Sequence, residues 1–241
     1  IEQINNGAWW SVKKELDSNW NAVCNSGIIM SALAIGDEES DVSGKALERA
    51  ITSFGKGIIT EYGPDGAWGE GPTYWQYALE YIALGLGTLN SALGQDYDIS
   101  KVDGLNETAH YIAHVSGPQG IFNYGDSPSG ALKLRVPELF YLGKLLNDDS
   151  ITKLGLKMLD DSKKNGGVYD LIWYNTSVTS NELDLPLDAK FRDPDLALMR
   201  GSWIDPLSTY IGFKAGKAYM SHGHMDIGNF VFHANGEQWA I

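Results

Sequence analysis

Trp75, Leu79, Ile82, Leu86, Leu89 and Leu93 fall at alternating steps of four and three. Such steps return to one face of an α-helix, and they make this the most regular amphipathic stretch of the chain. The first two thirds of the sequence read as helices around it. Asn19 or Asn21 can cap a helix running to about Gly36, with Val23, Ile28, Ile29 and Leu33 apolar. Ser43 can cap the next, whose apolar face carries Leu47, Ile51, Phe54 and Ile58. Gly63-Pro64-Asp65-Gly66 signals a turn ahead of the Trp75 helix. Asp103 can cap a fourth helix at 105–115, and two more fit 135–146 and 150–161. Helices joined this way, two at a time, read as stacked antiparallel hairpins.

From about residue 162 the period changes. The stretch 163–194 is rich in Gly, Asn, Asp and Ser and reads as a long connection. After it, 196–200, 209–215, 229–234 and 238–241 alternate in the strand manner, and Asn235-Gly236 is a type I′ hairpin signal. The expected architecture is multidomain, α then β: a helical part over 1–162, the connection, and an antiparallel sheet over 195–241. A free sheet of about four strands has exposed edges, so it is expected to pack on the helices or to continue past Ile241.

Composition narrows the partners. A chain of 241 residues can bury a sizeable core as one large or two modest domains. The net charge of −13, with no basic stripe, argues against nucleic acid. It also means that a polyanionic substrate needs a local positive patch. No apolar run reaches the roughly 18 residues of a membrane span. Ile1 opens without a basic and apolar leader, which reads as a mature or trimmed N-terminus. The single Cys24 sits in an apolar helical pattern and reads as a buried, inert thiol. The 8 tryptophans and 12 tyrosines are compatible with sugar stacking, and equally with core filling.

Chemistry concentrates in Ser221-His222-Gly223-His224-Met225-Asp226, which holds two of only five histidines. In an extended segment His222, His224 and Asp226 share one face, an arrangement suited to acid–base work or metal binding; otherwise the stretch is a polar surface turn. Asn21 and Asn25 lie one helical turn apart, and an asparagine amide can donate to a carboxylate. Tyr74 follows Gly71-Pro72 at a helix start, where backbone N–H groups favour an anion and a lowered tyrosine pKa makes a base; the alternative is a packing tyrosine. His110 and His114 are four apart, but Tyr111 stands where a zinc protease needs glutamate, so they read as surface or half-buried histidines.

An Asn-Trp-Asn helix at Asn19–Asn21, an Asp-Gly…Glu-Gly-Pro-x-Tyr-Trp-x-Tyr loop at 65–77 and a Ser-His-Gly-His-x-Asp-x-Gly turn at 221–228 occur in that order. Together they resemble the heparinase II/III-like polysaccharide lyases, a group that includes alginate and oligoalginate lyases. The resemblance implies an incomplete (α/α) toroid followed by the start of an antiparallel β-sandwich, with a cleft between them, and a chain that is a fragment of a longer protein. It implies β-elimination on a uronic-acid-containing glycan, met in the periplasm or outside the cell. Asn21, or its neighbour Asn19, is then the donor that neutralises the uronate. The family often has Asn-His there, and Trp20 replaces that histidine. Tyr74 matches the acid–base tyrosine, with Tyr77 as the fallback, and His222 matches the catalytic histidine. Asn19, Trp20, Glu70, Tyr77 and Tyr124 are expected to bind substrate. His224 matches a histidine that holds a structural zinc in some members, the further ligands being expected beyond Ile241. Asp226 is expected to orient a histidine by hydrogen bond. Two rivals stand beside this reading. One is a glycoside hydrolase using two of Asp65, Glu70 and Asp126. The other is an inactive carbohydrate-binding relative.

Overall fold

The computed structural model describes residues 8–11, 18–128, 134–162, 166–175 and 177–240. Three long helices form its base. The first, α1 (Asn19–Ala34), is capped by Ser18, whose hydroxyl accepts the Trp20 N–H. The cap therefore sits one residue before the expected Asn19 or Asn21, whose amides bond elsewhere in the fold. Helix α2 (Ser40–Tyr62) starts ahead of Ser43: the Ser43 N–H already bonds to the Glu39 carbonyl, and the side chain is buried instead of capping. Helix α3 (Pro72–Leu93) has Pro72 in its first turn, where a missing N–H costs nothing, and ends on left-handed Gly94. The four-three series behaves as read. Trp75, Leu79, Ile82, Leu86 and Leu89 are buried, and of the six only Leu93, in the last turn, is exposed. Helix α1 packs against both α2 and α3. Cys24 on α1 is only half-buried, and burial raises its thiol pKa.

Helix α4 (Thr108–Val115) is shorter than expected. Asp103 caps nothing, because residues 103–107 form a turn, in which left-handed Gly104 (φ 87°) lies so near the Tyr62 carbonyl that a Cβ there would overlap it. A two-residue hairpin follows, β1 (Ser116–Gly117) with β2 (Gly120–Ile121). Helices α5 (Glu138–Leu146) and α6 (Asp149–Asp161) pack on each other, Asp148 capping the second. The stretch expected to be a connection holds more structure than that: a short α7 (Val168–Trp173) and a first strand, β3 (Ala189–Arg192).

Strand β3 begins an antiparallel sheet that runs in sequence order through β4 (Asp195–Arg200), β5 (Tyr210–Lys214), β6 (Phe230–Ala234) and β7 (Glu237–Ala240). Among the described residues this sheet has five strands where four were expected. Asn235 and Gly236 both take positive φ, as a type I′ turn requires. Ile241, the expected end of the last strand, lies outside the described residues. One face of the sheet, with Phe191, Leu196, Leu198, Tyr210 and Val231, joins the helical core. Gly212 admits the Phe122 ring there, since a Cβ at that position would come within 2.7 Å of it. The chain is thus a helical part followed by an antiparallel sheet, with loops from both meeting along one groove.

Candidate active site

The loop 123–128 is the hub of that groove. Its Tyr124 hydroxyl donates to the Trp68 carbonyl (2.6 Å) and lies 2.6 Å from the Tyr111 hydroxyl. The Ser127 hydroxyl accepts the Thr73 N–H at the start of α3. Gly71 (φ 96°) makes this closeness feasible, because a Cβ there would stand 2.4 Å from the Tyr124 carbonyl. Asp126 is thereby fixed beside Tyr74, on the first turn of α3.

Loop 221–226 comes down on the same spot from the sheet. It is not extended. His222 and Met225 are both left-handed, with φ 52° and 54°, and this breaks the expected sharing of one face by His222, His224 and Asp226. The two imidazoles turn to Asp126: His222 Nδ1 lies 2.6 Å from Oδ2 and His224 Nε2 2.5 Å from Oδ1. These bonds, His224 first and His222 second, hold the Asp126 carboxyl below its ordinary pKa. Asp226 turns the other way. It pairs with buried Lys214 (2.7 Å) and accepts the Gly125 N–H (3.1 Å), so it orients the Asp126 loop and neither histidine.

The Tyr74 and His222 rings stack, with centroids 3.8 Å apart and planes 22° from parallel. Burial, followed by the charges of Asp126 and Glu70, raises the Tyr74 pKa. The expectation of a lowered value at the helix start is overturned: burial and two nearby carboxylates outweigh the helix N-terminus. A phenol held in this way keeps its proton.

Glu70 lies beneath. It is only 2% exposed, and its Oε2 accepts from the Asn19 N–H, the Asn19 amide and the Trp68 indole at 3.0, 3.0 and 3.3 Å. Asn21 does not join the group. It is buried against α2, and its amide donates to the Trp10 carbonyl (3.0 Å) and the Ser53 hydroxyl (3.2 Å). A Cβ on Gly57 would overlap it at 2.0 Å. Tyr124 is buried too, and so acts as a loop anchor. Tyr77 is half-exposed beside Tyr81, away from the histidines. Trp20 lies on the groove wall with Trp9, both 47% exposed, their rings in edge contact at 5.5 Å. Asp65 accepts the Arg192 N–H (3.0 Å) outside the cluster. His110 is half-exposed beside Glu107, but His114 is buried, its ring held between the His110 and Pro186 carbonyls; the half-buried reading fails for it.

Sequence reasoning named Asp126 only as a hydrolase candidate and missed Lys214 and Trp9. A carboxylate in the polar loop 123–128 was the one available signal. The zinc reading on His224 expected its further ligands beyond Ile241, and among the described residues no group of three or more His, Cys, Asp or Glu side chains is placed to hold a metal ion.

No family model matches the sequence, and no curated protein matches it. Solved structures do match in fold. A heparinase III solved with methylated lysines superposes with a TM-score of 0.66 at 15% identity, over 98% of this chain and 33% of that one. The heparan sulfate lyase HepC from Pedobacter heparinus gives 0.65 at 15% identity, over 98% and 34%. The fold is lyase-like. The chain spans about a third of the length of these lyases and includes both sides of the groove that Tyr74 and His222 share. No helix among the described residues is long and apolar enough to cross a membrane.

Proposed function

We propose that the chain carries the catalytic groove of a polysaccharide lyase that cleaves a uronic-acid-containing glycan by β-elimination, in the periplasm or outside the cell. The observation that carries this reading is the stacked Tyr74–His222 pair, with His222 Nδ1 on Asp126. An Nδ1–H given to a carboxylate leaves the Nε2 lone pair facing the groove as a base. Nε2 takes the C5 proton, which is α to the uronate. The electrons form the C4–C5 double bond, the C4–O bond breaks, and the Tyr74 phenol protonates the leaving oxygen. Its environment raises the Tyr74 pKa, so the phenol holds its proton until the leaving oxygen takes it. Asn21 is dropped as the uronate donor, since its amide is spent inside the core.

The hydrolase reading has less support. Asp126 is engaged by both imidazoles, and His222 fills the space between it and Glu70, where an inverting enzyme needs water. Near-ultraviolet absorbance tests the proposal, because elimination creates an absorbing double bond and hydrolysis does not. The protein should produce it from a panel of uronates that includes heparan sulfate and alginate. Tyr74→Phe and His222→Ala should each lower the rate by about 10²–10⁴-fold. Absence of the signal on every uronate rejects the lyase reading, and near-normal rates in both variants reject these roles.

A further inference from the structure

Helix α3 carries a second concave site towards its far end. A cavity of about 950 Å³ opens between its second half, α5 and α7, and its lining includes Tyr141, Tyr169, Trp173, Asn90, Asn175 and Lys144. The helix rises about 20 Å between Tyr74 and Gly87, so this cavity is separate from the groove. Its size suits a short oligosaccharide. Tyr169 and Trp173 stack, with centroids 4.9 Å apart and planes 15° from parallel, and Trp173 meets Tyr141 at 5.7 Å and 45°. All three rings are half-buried. Gly87 leaves the Tyr141 ring uncovered on the α3 side, where a Cβ would stand 3.7 Å from it.

Charge singles out the ligand. Lys144 is exposed, and among the described residues that line the cavity it is the one that carries a charge. In a chain of net charge −13, an acid-free wall with a lysine is where an anion is least repelled. A uronate sugar uses every part of this wall: its C–H faces lie on the rings, its hydroxyls meet the Asn90 and Asn175 amides, and its carboxylate meets the Lys144 ammonium. We infer that the cavity is a second, non-catalytic site, which holds a uronate-bearing stretch of the glycan while the groove cuts another. The ligand class rests on the lyase reading. A polymer held there presents its remaining length to the groove at a raised effective concentration, which a short oligosaccharide cannot do.

Calorimetric titration of the Tyr74→Phe protein, which spares the ligand, tests it. The probes are tetrasaccharides of an unsulfated glucuronate–N-acetylglucosamine polymer and of alginate, each intact and carboxyl-reduced. At least one intact tetrasaccharide should bind. One binding step should weaken about tenfold when Lys144→Ala or Tyr169→Ala is added, and about as much when the sugar is carboxyl-reduced. With Tyr74 restored, Lys144→Ala should raise KM for the long polymer about tenfold and leave kcat and tetrasaccharide cleavage unchanged. Lys144 is exposed, so its variant should keep the melting temperature and decides the matter if Tyr169→Ala does not fold. The inference is overturned by binding of neither tetrasaccharide, by equal binding of intact and reduced forms, or by unchanged binding in Lys144→Ala. An unchanged polymer KM in Lys144→Ala overturns it too. So does a dimer that Ile172→Asp separates, which would give the cavity to a second copy. Lys144-dependent binding without elimination on any uronate overturns the lyase reading alone.

Discussion

Asp226 turns its carboxylate away from the two histidines that precede it and onto the Lys214 ammonium, 2.7 Å away. Lys214 is 1% exposed, at the end of β5, and the other Asp226 oxygen takes the Gly125 N–H. The pair ties the histidine loop to the loop that carries Asp126. Removing one member leaves a buried charge without its partner, which costs about 3–5 kcal/mol. Asp226→Asn should lower the unfolding free energy by that order in urea titrations. A small loss would mean that the pair is strained or wet. The pH dependence follows. Burial pulls the Asp226 pKa up, but Lys214 and the Gly125 N–H pull it down further, so the net shift is downward. The stabilisation is therefore complete above the unfolded value of about 3.9 and is lost as pH falls through the lower folded value. In the Asp226→Asn variant this share of the acid loss should vanish.

Asp126 holds both imidazoles, and its role can be separated from theirs. Asp126→Asn keeps the shape but can present an N–H where His222 Nδ1 needs an acceptor. The imidazole then loses the tautomer that leaves Nε2 free, an effect worth up to about 10⁴-fold in a Ser-His-Asp triad. Elimination should fall by roughly 10²-fold or more, with little change in melting temperature because the carboxylate is surface-accessible. An unchanged rate would show that His222 is oriented by something else.

The helices were legible because burial repeats at their own period: the α3 series needed no tertiary information. The I′ turn was legible because only residues tolerant of positive φ fill it. What failed was chemistry decided across the chain. Lys214 sits at an inward strand position where a lysine ordinarily reads as exposed, and only its partner 12 residues on makes burial tolerable. Asp126 meets His222 across 96 residues, a distance that local pattern does not bridge. The alternation rule misplaced Asp226, since two left-handed residues with side chains, His222 and Met225, interrupt the strand. Ser18 took the cap because Asn19 and Asn21 were needed deeper in the fold. The same competition explains why, of the two asparagines in the Asn-Trp-Asn motif, Asn19 bonds to Glu70 while Asn21 is buried against α2.

Asn21 separates a structural amide from a catalytic one. Its bonds to the Trp10 carbonyl and the Ser53 hydroxyl tie α1 to the segment before it and to α2. Asn21→Ala should cost about 1–3 kcal/mol in stability by leaving the buried Trp10 carbonyl without its donor, while Ser53 keeps the Asn25 amide. Elimination by the remaining folded protein should fall less than about tenfold. Loss of a donor to developing charge costs about 10²–10³-fold instead, so a fall of that size would return Asn21 to the site.

His233, on β6, is fully buried, and neither ring nitrogen has a partner among the described residues. Burial lowers its pKa to about 4. The unfolded chain takes up this proton below about 6.5, while the folded chain refuses it until about 4. Stability is therefore unaffected by this group above 6.5, falls as pH drops from 6.5 towards 4, and levels off below. The gap of roughly 2.5 units corresponds to about 3 kcal/mol. His233→Phe, which fits beside the Tyr210 ring 5.1 Å away, should flatten the stability curve across that window and leave the loss due to Asp226 below it intact. Unfolding free energies measured from about pH 7 down to about pH 4 decide the point: equal slopes in the two proteins would mean that His233 is charged, or reached by water, in the folded state.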